Sequence, residues 1–181
     1  KELEAIMERE FGPIRRKQYS PPAVNSAVGI QIRARKNTER LLVDGYNVIF
    51  AWDDLKSIAE KSIDAARARL IDIMAQYRAY TKAEVILVFD AYRVPGGQGE
   101  KYNDAKLHIA FTKEGETADM YIERLVSEIG KNDSVRVVTS DALIRLSALR
   151  TGVLRTSSGE FKSEVEWVLN QIDEIVKRTQ E

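Results

Sequence analysis

Three apolar runs each end on an aspartate. Leu41-Leu42-Val43 leads into Asp44, Val85-Ile86-Leu87-Val88-Phe89 into Asp90, and Val135-Arg136-Val137-Val138-Thr139-Ser140 into Asp141. Short apolar runs suit central strands of a parallel sheet, whose two faces are both buried. Such a sheet needs helices on both faces, and its ligands bind beyond the carboxyl ends of the strands. A fourth acid, Asp119 in Glu116-Thr117-Ala118-Asp119, sits at the start of an amphipathic helix. Carboxylates that converge repel one another unless a cation lies between them. A hard divalent ion, which takes oxygen ligands, answers that need.

The rest of the chain supports an α/β reading. Leu3, Ile6 and Met7 share one side of a helix that Phe11-Gly12-Pro13 ends. Residues 13–39 contain Pro21-Pro22 and little periodicity, and read as an extended linker. Strand one is expected from Leu41 to about Tyr46, and Asp53-Asp54-Leu55-Lys56 begins a short helix. Ser62 caps a longer helix that buries Ile63, Ala66, Leu70, Ile73, Met74 and Tyr77. Strand two is Val85–Phe89, residues 94–99 form a glycine-rich loop, and a third strand runs Leu107–Phe111. Thr117 caps the next helix, with Ile122, Leu125, Val126 and Ile129 inward. Strand four is Val135–Thr139, followed by a helix over Ala142–Leu149 and a short strand around Val153-Leu154. A final helix over about Gly159–Arg178 buries Phe161, Val165, Val168, Leu169, Ile172 and Val176. Strands alternating with helices give a doubly wound α/β domain. Neither a GxGxxG nor a GxxxxGK[ST] phosphate loop is present.

The chain contains no cysteine, which excludes disulfides, thiolate zinc sites and cysteine nucleophiles. Its one histidine, His108, excludes a multi-histidine zinc site and is expected to be a satisfied or exposed strand residue. No apolar stretch approaches a membrane span and no signal peptide is visible, so a cytoplasmic protein without a membrane partner is expected. The chain lacks an initiator Met and starts inside a helical pattern, as a piece of a longer protein would. Its 28 basic and 28 acidic residues balance, but they are unevenly placed. From Pro13 to Arg40 there are seven basic residues and one acid, a net charge of +6. Such an arm on an acidic body either binds an anionic partner or is a solvated linker.

Asp44-Gly45-Tyr46-Asn47 has two readings. Asp-Gly between apolar runs is a hairpin signal, with Leu41–Val43 and Val48–Phe50 as arms. Alternatively Asp44 is a metal ligand at a strand end, Gly45 turns the backbone, and Asn47 orients a carboxylate, water or phosphate oxygen. Asp141 and Asp119 could each merely cap a helix, which is compatible with metal binding. Five nearby carboxylates, counting Glu116, are too many for a simple acid pair. They suit one or two Mg²⁺ or Mn²⁺ ions, which acidify bound water and stabilise in-line displacement at phosphorus. Arg93, Lys101, Arg145, Arg150 and Arg155 are the candidate phosphate contacts.

The stretch from Leu41 to Arg178 resembles the YacP-type NYN domain, a branch of the PIN-like nuclease fold. The matching pieces are Leu42-Val43-Asp44-Gly45-Tyr46-Asn47, Val88-Phe89-Asp90-Ala91, Glu116-Thr117-Ala118-Asp119 with Ile122-Glu123, and Thr139-Ser140-Asp141, in family order. The resemblance implies a three-layer sandwich with a mainly parallel sheet over residues 40–181. It implies a metal-dependent endoribonuclease, acting in some members on mRNA within the ribosome. Asp44, Asp90, Asp119 and Asp141 then form the metal site, with Glu116 and Asn47 beside them. The family's later arginine–serine segment has a partial counterpart in Leu154-Arg155-Thr156-Ser157-Ser158. Leu3 through Tyr19 resembles the C-terminal tail of translation GTPases related to tetracycline-resistance ribosomal protection proteins. That would make residues 1–39 the tail of a preceding domain plus a basic linker, with the GTPase domains, RNA (mRNA or rRNA) and the ribosome as partners. Two other readings compete. One is a non-catalytic RNA- or ribosome-binding module. The other is a phosphoryl-accepting receiver-like domain, whose adjacent acidic pair after strand one is missing because Asp53-Asp54 fall too late.

Overall fold

Leu41 and Val43 face one apolar layer while Leu42 between them faces another, so the first strand is covered on both sides. The computed structural model describes residues 38–90, 101–104, 107–129, 133–140 and 152–180. They form strands β1 (Arg40–Asp44), β2 (Glu84–Phe89), β3 (Lys101–Asp104), β4 (Leu107–Phe111), β5 (Val135–Val138) and β6 (Val153–Thr156). The helices are α1 (Gly45–Ala51), α2 (Asp53–Ala59), α3 (Ile63–Thr81), α4 (Ala118–Glu128) and α5 (Ser158–Thr179). The sheet order is β3-β4-β2-β1-β5-β6, and β4, β2, β1, β5 and β6 are mutually parallel. Only β3 runs antiparallel, along the outer edge of β4.

The chain steps from β1 to β2 in one direction and later from β4 back across the sheet to β5. Right-handed connections running in opposite directions must use opposite faces. Accordingly α1, α2, α3 and α5 pack on one face, through Val48, Trp52, Leu55, Leu70, Tyr77 and Phe161. Helix α4 covers the other face with Ala118, Ile122 and Val126 against Leu42, Val88 and Ala110. The expected three-layer α/β sandwich is thus present.

Several local expectations change. There is no hairpin at Asp44-Gly45, and the first strand ends at Asp44 rather than near Tyr46. Val48, Ile49, Trp52 and Leu55 are buried at spacings of one, three and three. That is a helical period, and it overrides the turn signal of the dipeptide. Strand β3 was not foreseen because Lys-Tyr-Asn-Asp is polar, as edge strands are. Val176 is exposed rather than buried, because every residue of α5 from Asp173 onward projects past the core. The Ala142–Leu149 helix, the 94–99 loop and the 1–37 segment lie outside the described residues. His108 sits near the amino edge of the sheet, its Nε2 3.3 Å from a Glu84 carboxylate oxygen, as a satisfied strand residue does.

One polar network ties the large layer to the sheet. Arg136 on β5 donates from Nη1 and Nη2 to the two carboxylate oxygens of Glu164 on α5, at 2.6 and 2.9 Å. Tyr77 on α3 accepts from Arg136 at 2.9 Å and donates to Glu164 at 2.5 Å. The Arg136 hydrogen bonds hold Glu164 below the usual carboxylate range, against the opposing effect of its burial. A group with a depressed folded-state pKa contributes stability above its unfolded value and loses it as pH falls through the folded one. Acid denaturation therefore draws on this network below about pH 4.3. Arg136→Ala should destabilise the domain by about 2 kcal/mol. That is less than the ~3–5 kcal/mol of a fully buried pair, because Glu164 is 35% exposed. The variant should also flatten the acid limb of stability against pH. Denaturant melts between pH 3 and 7 check both; parallel curves for variant and wild type would exclude the network as the source.

Candidate active site

Strand order reverses direction at β1, whose neighbours β2 and β5 are reached by connections on opposite faces. A crevice opens outside the carboxyl ends of the strands at such a point. An open cavity of about 500 Å³ lies there, lined among others by Asp44, Tyr46, Asn47, Phe50, Asp90, Thr117, Asp119 and Ser140. The three described aspartates of the expected metal set thus face one cavity, although they come from the end of β1, the end of β2 and the first turn of α4.

Each is fixed differently. Asp44 is 8% exposed and is the N-cap of α1, its Oδ1 accepting from the Asn47 amide at 3.1 Å. Asp90 Oδ1 accepts from the Ala118 amide, the first of α4, at 2.6 Å. Thr117 caps the same helix through Met120. Capping leaves one carboxylate oxygen of Asp44 and one of Asp90 outside these bonds. Asp119 is half-buried on the first turn of α4.

Asn47 is a fastener. Its Oδ1 accepts from the Ser140 amide at 2.7 Å and from the Ser158 hydroxyl at 2.8 Å. One side chain thereby joins α1, the end of β5 and the start of α5. The fully buried Ser158 also accepts from the Trp52 indole through its carbonyl, at 2.8 Å. The Asn47 Nδ2 has no bond among the described residues.

Gly45 has a role other than turning the backbone. Its φ is not positive, but a Cβ there would lie 2.3 Å from Phe89 Cε1. Glycine lets α1 start directly against the buried Phe89 ring.

Glu116 and Arg155 are not among the residues that line this cavity. Glu116 accepts from Arg124 at 2.9 Å and lines a neighbouring depression with Lys113 and Met120. Arg155 is on β6, opposite Val137, and does not line the cavity. Lys101 is on the edge strand β3. Asp141, Arg93, Arg145 and Arg150 lie outside the described residues. Asp53 and Asp54 open α2 away from the cavity, with Asp54 paired to Lys162. Sequence reasoning passed over Ser140, Ser158, Tyr46 and Phe50 as parts of the site. Tyr46 and Ser140 stand inside the motifs of Asp44 and Asp141, and near Ser158 the capping box Ser157-x-x-Glu160 carries a signal.

The donor chemistry suits a hard ion: all three described acids offer oxygen, and no lysine or arginine is among the described lining residues. Among the described residues no three His, Cys, Asp or Glu are grouped tightly enough to hold a metal alone.

The profile of the YacP-like NYN domain matches residues 41–181. A protein of Bacillus subtilis (strain 168), "Uncharacterized protein YacP", is 40% identical over 139 residues, covering 76% of this chain and 81% of the relative. The crystal structure of Rae1 (YacP) from Bacillus subtilis superposes with a TM-score of 0.66 at 39% identity, over 77% of this chain and 80% of that one. A point variant of the same protein gives 0.67 at 37% identity, over 78% and 84%. Profile, relative and fold agree: the chain belongs to the YacP-like NYN domain family, and its PIN-like fold points to an RNase-type function on RNA.

Proposed function

We propose that this domain is a metal-dependent endoribonuclease that hydrolyses RNA phosphodiester bonds, on mRNA or rRNA associated with the ribosome. The observation that carries the reading is the convergence of Asp44, Asp90 and Asp119 on one open cavity with no described cation among its lining. A module that only bound RNA would gain nothing from such a set, because it repels phosphate. Asp44, Asp90 and Asp119, with Asp141 from the fourth motif, would hold Mg²⁺ or Mn²⁺. A bound ion of this kind acidifies water and neutralises charge developing on phosphate.

The chain's own residues set the geometry. Asp44 and Asp90 each have one oxygen tied to a helix amide, which fixes the rotamer of the carboxylate. Asn47, with its carbonyl committed, has Nδ2 to donate to a phosphate oxygen. In hydrolysis a water oxygen bonds to phosphorus, the ester P–O bond breaks, and the leaving oxygen takes up a proton. Substrate affinity has to come from outside the acidic cavity. Arg93, Lys101, Arg145, Arg150, Arg155 and the +6 segment from Pro13 to Arg40 are the proposed phosphate contacts. The proposed setting is the cytoplasm, as the extension of a translation GTPase that brings the domain to ribosomes. Glu116, paired with Arg124, is proposed to steady the start of α4.

Cleavage assays on free and ribosome-bound RNA test the reading. Product should form with Mn²⁺ or Mg²⁺ and disappear with EDTA. Cleavage that survives EDTA would remove the metal from the mechanism. Tight RNA binding without cleavage under any condition would favour the non-catalytic RNA- or ribosome-binding module.

A further inference from the structure

Phe50 lines the acidic cavity yet is 41% exposed, an unusual position for a phenylalanine ring in a polar site. Its neighbours hold it in place. The Tyr46 ring stacks on it at 6.4 Å with 30° between planes. Tyr46 is itself buried, edge-on to Phe89 at 5.1 Å, and its hydroxyl accepts from Arg67 on α3 at 2.8 Å. Ala51, the next residue, also lines the cavity and adds little bulk. A rigid aromatic face beside a phosphate-processing site is the device by which single-stranded nucleic acids are held. Each base has a π-face, so stacking needs no hydrogen-bond code.

Resting on the endoribonuclease reading, we propose that Phe50 is a stacking platform for one base of a single-stranded RNA substrate, next to the scissile phosphate. Asp44 caps the short helix that carries Phe50, six residues on. At ~1.5 Å of rise per residue the separation is about 9 Å along its axis. At roughly 3.4 Å per stacked nucleotide, the base on Phe50 lies within about three nucleotides of the reacting phosphate. The helix is anchored at its start by the Asp44 cap and by Asn47, so platform and carboxylate move together.

Two measurements on the full 181-residue chain test this. The first is cleavage of short single-stranded RNA carrying one abasic position, moved stepwise along the strand. Phe50→Ala and Phe50→Leu should raise KM roughly tenfold with kcat little changed, and Phe50→Trp should retain the wild-type KM. One abasic position within about three nucleotides of the cut should erase the difference between wild type and Phe50→Ala. The second is binding to the Asp44→Asn protein, read by quenching of 2-aminopurine at that position and by anisotropy. It decides the stacking proposal even if no cleavage is seen, because it needs no chemistry. Quenching lost with Phe50→Ala and Phe50→Leu but kept with Phe50→Trp supports it. Phe50→Leu binding as well as wild type, equal abasic penalties in wild type and Phe50→Ala, or no binding to single strands would overturn it.

Discussion

Asp44→Asn, Asp90→Asn and Asp119→Asn should each lower RNA cleavage about a hundred- to a thousandfold while leaving the domain folded and equally or slightly more heat-stable. The magnitude is that of removing one group from a preorganised electrostatic site. The stability expectation follows from the hydrogen bonds. Asp44 accepts from the Asn47 amide and Asp90 from the Ala118 amide, each through a single Oδ1. An asparagine carbonyl can accept the same bond, and Asn caps a helix as well as Asp does. The substitution therefore keeps these two cap bonds while removing charge, and three like charges facing one cavity relax when one is removed. Active sites commonly sacrifice stability in this way. The alanine variants separate the two roles. Asp44→Ala loses the cap of α1 and should cost about 1 kcal/mol besides activity. Thermal melts paired with cleavage assays give the answer. An Asn variant that unfolds would make its aspartate a structural residue, and one that cleaves normally would remove it from the mechanism.

The same bonds show what the amino-acid order could and could not reveal. Asp44, Asp90 and Asp119 were legible because each stands at a junction of apolar periodicities, where a strand gives out or a helix begins. Parallel pairing then carries strand ends to one edge without further information. The fastening of that edge was not legible. Asn47, Ser140 and Ser158 are 93 and 111 residues apart along the chain in their hydrogen bonds. Nothing local to Ser158 marks it as buried, since Thr156-Ser157-Ser158 reads as a polar helix start. Strand β3 was hidden for a different reason: its register comes from the neighbouring β4, not from its own apolar content. Glu116 stood in the right motif, but Arg124, eight residues on, pairs with it across the turn before α4. Proximity in sequence to Asp119 did not place it in the same cavity.

Gly45→Ala should be the most damaging alanine substitution among the described glycines, lowering stability by about 3 kcal/mol. For a domain of this size that is a fall in melting temperature of roughly 6–12 °C. The added Cβ would sit 2.3, 2.6 and 2.9 Å from three carbons of the Phe89 ring. A clash is cheap when the neighbour can swing away, and Phe89 cannot. It is fully buried, stacked on Phe111 at 5.7 Å and met edge-on by Tyr46 at 5.1 Å. The easier movement is outward, for α1 itself, and that carries Asn47 and Phe50 away from Asp44, Asp90 and Asp119. Activity should therefore fall further than stability alone accounts for, even at temperatures where the variant is fully folded. Glycine is needed here for close approach and not for a left-handed turn, so the remedy lies in the ring. Phe89→Leu opens space at its own cost, and the Gly45→Ala/Phe89→Leu pair should lose less stability than the two single changes added together. Thermal melts of the four proteins complete the cycle. Strict additivity would show that Gly45 and Phe89 do not compete for the same space, and that the glycine serves the backbone after all.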